Sequence, residues 1–462
     1  MEVEIISTQL IKPSCPTPTH PKTHNLSIID QFMPSIYIPM VLFYPADHII
    51  PSTIDSNITQ QRLKQLKESL SQVLTQFYPF AGRIKDKITI DCNDEGVYYT
   101  EAKVSCSLVE FFNHANFASF THKLLPNQTI WDTATEGYPT MIQVTCFACG
   151  GMVIGTLISH MIADGAAASF FLSSWGSTSK SEFQHASALP NFDTPFLKNV
   201  ACPKDTNVMA LCGQFLNMGK LAMRRFLFDE EAMSKLKAQG SSLTVQNPTR
   251  VEVVTSLLCK CSARAFRENH GLERPSLLTH AVNMRLRASP NFPKSCMGNY
   301  VWLALASMGE KEKVIELPEL VIKLREALKS INSEFVKSLE GEGGLIKYCE
   351  VSKQLIESAS NGAQTSGVNY VHYTSWSNFG LYEVDYGWGK PIWVSCTSGS
   401  AEDSTLFFNS IILMDTPSSK GIEVWIYLNE DEMSILQQDK ELLTFAALDP
   451  NPLQLKDYIS RA

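Results

Sequence analysis

The chain has 462 residues, 44% apolar and 19% charged, a globular composition in a chain too long for one compact core, so two domains are expected. A formal charge of −8 excludes the basic surface that nucleic acid or an anionic membrane requires, while leaving room for a small anionic ligand in a local pocket. Twelve cysteines without repeating spacing read as reduced thiols of a cytoplasmic protein.

The start, Met1-Glu2-Val3-Glu4, lacks the basic residues and apolar run of a signal peptide. No later stretch approaches the roughly 20 apolar residues that span a bilayer. Residues 58–76 carry Leu63, Leu66, Leu70, Val73 and Leu74 at helical spacing, and Phe77-Tyr78-Pro79 ends that helix. Short strands are expected at 88–90 and 96–99, with the turn cluster Asp91 to Glu95 between them. Residues 141–146 and 151–159 read as two strands joined at Cys149-Gly150-Gly151, the second nearly all apolar and therefore buried. A helix follows at 166–175.

Residues 176–222 are weakly periodic and read as the crossover between domains. A second half restarts at 225–228, with a helix at 233–238 and buried segments at 276–288 and 300–306. The stretch 338–368 holds Glu340-Gly341-Glu342-Gly343-Gly344 and a Ser- and Gly-containing run from 358 to 367, so part of it reads as a mobile surface loop. The C-terminal part gives a hairpin, 405–414 and 422–428, around Pro417-Ser418-Ser419-Lys420-Gly421.

The best chemical lead is His160-Met161-Ile162-Ala163-Asp164-Gly165, which closes the buried strand and opens the next helix. An imidazole with an ordinary pKa of about 6.5 can accept a proton at neutral pH, and the carboxyl end of a strand opens into a crevice. Asp164 followed by Gly165 looks more like a helix N-cap than a partner of His160. On spacing alone, a satisfied turn histidine before a capping aspartate explains the pattern at least as well. A second cluster, Asp385-Tyr386-Gly387-Trp388-Gly389, suggests backbone in an unusual conformation and a structural role.

Together these two clusters resemble the plant BAHD acyltransferases. Matches in the same order along the chain are Leu26-Ser27 with Asp30, Phe77 to Arg83, Pro190-Asn191-Phe192-Asp193, Asn283-Met284-Arg285 and Met297-Gly298-Asn299. The stretches Ala281 to Arg285, Leu413 to Thr416 and Glu423-Val424-Trp425 resemble most the alkaloid O-acetylating branch of that family. One departure is Tyr386, where the family usually has phenylalanine; its hydroxyl needs a partner if buried.

The resemblance implies an α/β fold of two chloramphenicol-acetyltransferase-like domains, each a mixed β-sheet flanked by helices, with a channel between them. The expected division is 1–190, a crossover at 191–222, and 223–462, with a segment near 385–405 returning to the first domain. It implies that His160 is the general base for attack of an alcohol on an acyl-CoA in a direct ternary complex. Asp164 would pair with Arg285 and shape the loop, and Asp385, Gly387, Trp388 and Gly389 would be structural. Trp388 or a backbone amide would serve the oxyanion. Thr374 and Trp376 would lie near the acceptor, and Asn283 and Asn299 along the channel; buried packing accounts equally well for Trp376 and Asn299.

The family also implies a monomer with no permanently bound cofactor or metal, taking acyl-CoA and a small-molecule alcohol. Residues 391–415, which help line the acyl pocket in the family, contain no arginine or lysine to pair a malonyl carboxylate, so acetyl-CoA is the expected co-substrate. The acceptor is expected to be a bulky plant alcohol, an indole alkaloid first, with terpenoid and phenolic alcohols open. A serine hydrolase is disfavoured because the chain has no Gly-x-Ser-x-Gly, and Cys146-x-x-Cys149 is a lone pair without zinc-ligand spacing. A binding protein of the same fold that has lost catalysis remains the non-enzymatic alternative.

Overall fold

The structure, a computed structural model, describes residues 1–18, 22–46, 56–126, 137–180, 188–271, 274–308, 316–364, 368–396 and 406–454. Among these, six strands form a first sheet in the order Glu4–Ile11, Val97–Val104, Thr140–Phe147, Met152–Ser159, Tyr37–Tyr44 and Trp393–Ser395. Seven form a second, in the order Val301–Met308, Ser276–Asn283, Asn369–Ser375, Ser410–Asp415, Ile422–Asn429, Leu221–Phe228 and Ala447–Leu448. Both are mixed. Val97–Val104 runs parallel to Thr140–Phe147, and Asn369–Ser375 runs parallel to both of its neighbours.

All eight residues of Met152–Ser159 are buried, as expected for a strand with neighbours on both edges and covered faces. Tyr37–Tyr44 lies beside it despite Pro39, a residue that cannot donate to a ladder. The short edge strand pairs only with residues 41–43, so Pro39 lies outside its reach. That edge strand, Trp393–Ser395, is contributed to the first sheet from late in the chain; residues 397–405 lie outside the described residues.

Helix positions follow local signals. Ser56–Leu74 buries the leucine stripe foreseen from the sequence against the first sheet's core. Arg250–His270 begins with a Thr249/Glu252 capping box and ends at Gly271, whose φ of 65° is the left-handed cap glycine tolerates. It buries Val253, Val254, Leu257, Leu258 and Cys261 under the second sheet.

One sequence expectation is corrected. Part of 338–368 was expected to be a mobile surface loop; residues 341–343 are an exposed turn, but the run from 358 continues a helix of 21 residues, Gly344–Gln364. Tyr348, Ser352 and Ala359, at helical spacing, are buried, and the Tyr348 hydroxyl donates to the Thr206 carbonyl at 3.0 Å. Small and polar residues at 358–364 masked that stripe; residues 365–367 lie outside the described residues.

A buried charge cluster joins the sheets. Arg225 and Glu423 of the second sheet are within 3.3 Å, both essentially inaccessible to solvent. The Trp393 indole of the first sheet donates to Glu423 Oε1 at 3.1 Å, and the Arg225 guanidinium lies over the Trp393 and Phe117 rings. Removing one charge of such a pair strands the other in a low-dielectric interior. Glu423→Gln should therefore lower the unfolding free energy by about 3–5 kcal/mol, read from denaturant titration; a change under 1 kcal/mol would show that the pair does not matter.

Candidate active site

The strand Met152–Ser159 delivers His160 to the end of the first sheet, and Asp164 caps the helix Gly165–Ser179 that follows. Asp164 Oδ1 accepts the Ala167 N–H at 2.9 Å, the geometry of an N-cap. Its Oδ2 accepts Arg285 Nη1 at 2.6 Å and the Tyr300 N–H at 2.9 Å. Arg285 in turn donates to the carbonyls of Cys296 (2.8 Å) and Gly298 (3.1 Å) and lies over the Tyr300 ring. Every bond to the Asp164 carboxylate described here comes from a group other than His160.

His160 is held by a different carboxylate at one remove. Asn299 Nδ2 donates to Asp30 Oδ1 at 2.9 Å and to the His160 carbonyl at 2.7 Å, which fixes the orientation of its amide. Asn299 Oδ1 therefore accepts from His160 Nδ1, 3.0 Å away. With the proton on Nδ1, the Nε2 lone pair is left free. Asp30 also accepts the Asn299 N–H at 2.7 Å and both the N–H and hydroxyl of Ser27. Burial pushes the Asp30 carboxyl up, opposed by the hydrogen bonds from Ser27 and Asn299. Burial likewise pushes His160 below the ordinary imidazole value, against raising contributions from its backbone hydrogen bond, the Asp164 charge and Asn299. The ring is neutral at pH 7.

The His160 side chain faces a cavity of about 230 Å³ between the sheets. Its walls are mostly apolar, including Ile36, Val208, Leu303, Phe407 and Ile412. Thr374 and Trp376 also line it, as does Asn283, whose Oδ1 caps the Arg285 N–H at 3.0 Å. No lysine or arginine is among its described lining residues. A Cβ on Gly165 would come within 2.8 Å of the Phe379 ring, so any larger residue there would have to displace that ring. A second cavity of about 760 Å³ carries Arg287, Lys294, Arg325 and Lys329. The two share Ala166, Ala281, Asn283, Ser375 and Phe379 as walls.

The Asp385 cluster lines neither cavity. Asp385 Oδ1 accepts the N–H groups of Gly387 (2.8 Å) and Gly389 (3.0 Å), whose φ angles of 112° and 108° glycine alone adopts readily. Tyr386 stacks on Trp388 and meets the edge of Trp175, and Arg62 lies over Trp388. Trp388, one of the two oxyanion donors expected from sequence, is thus packed away from His160. Trp376 is the better placed indole: its Nε1 lies 3.5 Å from a Cβ built on Gly165. Sequence reasoning did not find the role of Asp30, although Leu26-Ser27-x-x-Asp30 carries a capping-box signature.

Two mixed sheets, with His160 on one cavity and Arg287, Lys294, Arg325 and Lys329 around a second that shares walls with it, fit an acyl-CoA-dependent transferase. Residues 1–443 match the Transferase family, and the chain belongs to that family, the BAHD acyltransferases. It is 45% identical to limonoid 7-O-acetyltransferase of Citrus sinensis, over 98% of this chain and 100% of that one. It is 35% identical to stemmadenine O-acetyltransferase of Catharanthus roseus, over 95% and 97%. The crystal structure of vinorine synthase matches with a TM-score of 0.76 at 31% identity, over 96% of this chain and 98% of that one.

The Tyr386 hydroxyl is fully buried and has no hydrogen-bond partner among the described residues. Burying an unpaired hydroxyl costs about 1–3 kcal/mol. Tyr386→Phe should therefore raise stability by about 1 kcal/mol and leave turnover unchanged; a stability loss in thermal unfolding would reveal a partner for the hydroxyl.

Proposed function

We propose that the enzyme transfers an acetyl group from acetyl-CoA to a hydroxyl of a bulky polycyclic plant alcohol, with His160 as general base. The observation that carries this is the His160 Nε2 lone pair, presented to an apolar cavity by the Asn299 bond to Nδ1. In the direct reaction, Nε2 takes the hydroxyl proton as the oxygen attacks the thioester carbonyl. The tetrahedral intermediate collapses with cleavage of the carbon–sulfur bond, and the proton passes from Nε2 to the thiolate, leaving an ester and CoA thiol. The Trp376 indole N–H is assigned to the developing oxyanion.

The cavity carrying Arg287, Lys294 and Lys329 suits the coenzyme's phosphates, and its walls in common with the His160 cavity bring the thioester to the base. The absence of lysine and arginine from the described His160 cavity walls favours a neutral acyl group, because a desolvated carboxylate needs a paired cation. For the acceptor, 45% identity to a limonoid 7-O-acetyltransferase supports an oxygenated terpenoid alcohol of that type as the first candidate. Alkaloid alcohols come second, by the resemblance described above and the match to vinorine synthase.

Release of CoA thiol from acetyl-CoA in the presence of terpenoid and alkaloid alcohols tests this reading. Acetyl-CoA should outpace malonyl-CoA, and His160→Ala should lower kcat by about 10²–10⁴-fold; an undiminished rate in that variant would overturn the mechanism. The lowered pKa of His160 sets the pH dependence. The base is held below the ordinary imidazole value, so kcat/KM should be level at pH 7 and above, and its acid limb should lie below the range of a free imidazole. An acid limb above pH 7 would contradict it.

A further inference from the structure

A second imidazole faces the same cavity. His372 lies on Asn369–Ser375, in register with Thr279 on one side and Ser410 on the other. Alternation along the strand puts Tyr370, His372 and Thr374 on one face. His372, Thr374 and Ser410 line the cavity with His160.

The other edge of the His372 ring is fixed by a hydrogen-bond chain. His372 Nδ1 is 2.9 Å from Thr279 Oγ1, Thr279 Oγ1 is 2.8 Å from the Tyr370 hydroxyl, and that hydroxyl is 3.5 Å from Cys212 Sγ. Tyr370 itself is clamped by Phe215, stacked at 4.0 Å. The direction of the chain follows from the strength of its links. A phenol donates better to an oxygen at 2.8 Å than to a sulfur at 3.5 Å, and a thiol can donate only weakly. Tyr370 thus donates to Thr279, and the buried Thr279 hydroxyl proton, for which the described residues offer no other acceptor, goes to His372 Nδ1. The His372 proton is left on Nε2, for which the described residues supply no hydrogen-bond partner. This is also the tautomer that free histidine prefers in water.

We propose that His372 is a specificity-determining donor in the acceptor pocket, its Nε2–H binding a second oxygen of the acceptor, a carbonyl or ether remote from the hydroxyl that is acylated. The proposal rests on the acetyltransferase reading above and narrows its acceptor class. The cavity then holds two neutral imidazoles in opposite tautomers. His160 offers a lone pair to the reacting hydroxyl, and His372 offers a proton that it cannot pass on. Burial, with repulsion from His280 and His160, lowers His372 to about 3, so it stays neutral and serves as a donor of fixed sense across the working pH range. In a mostly apolar pocket such a donor discriminates, because an acceptor without the matching oxygen leaves it desolvated and unpaired.

The first arm of the test is independent of the acceptor's identity. In the full-length protein labelled with ¹⁵N-histidine, His372, assigned by its loss in His372→Phe, should show the Nε2–H tautomer at pH 7, and His160 the Nδ1–H tautomer. An Nδ1–H or doubly protonated His372 overturns the proposal. The second arm compares two tetracyclic triterpenoid alcohols that differ only in a ring ketone replaced by methylene, acetylated with acetyl-CoA. The wild type should favour the ketone about tenfold in kcat/KM, through KM, as for one hydrogen bond. His372→Phe should bring the ratio to near one. Thr279→Val, which removes the donor to Nδ1 and keeps His372, should lower the preference by the same route. An equal ratio in wild type and His372→Phe overturns the subsite and leaves the transferase intact. Failure to acetylate either alcohol counts against the acceptor class alone. The subsite is then decided by titrating both alcohols against tryptophan fluorescence, where equal affinity overturns it.

Discussion

The buried carboxylate of Asp164 is the constraint on which the site depends. A charge with 1% exposure persists only if every lone pair it turns inward is met, and Asp164 meets this with Ala167, Tyr300 and Arg285. Those partners come from the helix after His160 and from two segments beyond the second sheet's strand Ser276–Asn283. Satisfying one carboxylate thus fixes the loop of the first sheet against the second. Such a pair adds little net stability compared with apolar packing, but it leaves few alternative ways to dock the two halves.

The segment that reaches Asp164 through Tyr300 also delivers Asn299, the adjacent residue, to His160. Two carboxylates then divide the work. Asp164 holds the loop and has no hydrogen bond to the imidazole, while Asp30, on a capped turn far earlier in the chain, orients Asn299. Placing an amide between carboxylate and imidazole fixes the tautomer without a full negative charge on Nδ1. The imidazole therefore keeps a pKa lowered by burial instead of one raised by direct pairing.

Charge is partitioned between the two cavities. The His160 cavity is walled mostly by aliphatic and aromatic side chains, with Asp164 as the carboxylate among its described lining, and Arg287, Lys294, Arg325 and Lys329 stand around the neighbouring one with Glu252 and Glu383. An apolar wall strengthens each polar contact made inside it. The net charge of the whole chain gives no hint of this arrangement, because the basic groove is local.

Much of this was legible in the sequence. Apolar runs and leucine spacing located Met152–Ser159 and Ser56–Leu74 within one or two residues, because burial on both faces or on one helical stripe leaves a local periodic trace. His160, Asp164, Arg285 and the Asp385 cluster could be singled out from motifs and their order. Helix Gly344–Gln364 was obscured because its buried stripe uses Tyr348, Ser352 and Ala359, which a hydrophobicity pattern reads poorly. Only the tertiary structure decided which carboxylate serves His160, that Trp388 packs away from it, and that Thr279, Tyr370 and Cys212 line up behind His372. These are hydrogen bonds between segments up to 269 residues apart, and local sequence carries periodicity and capping but not the direction of a proton across such a distance.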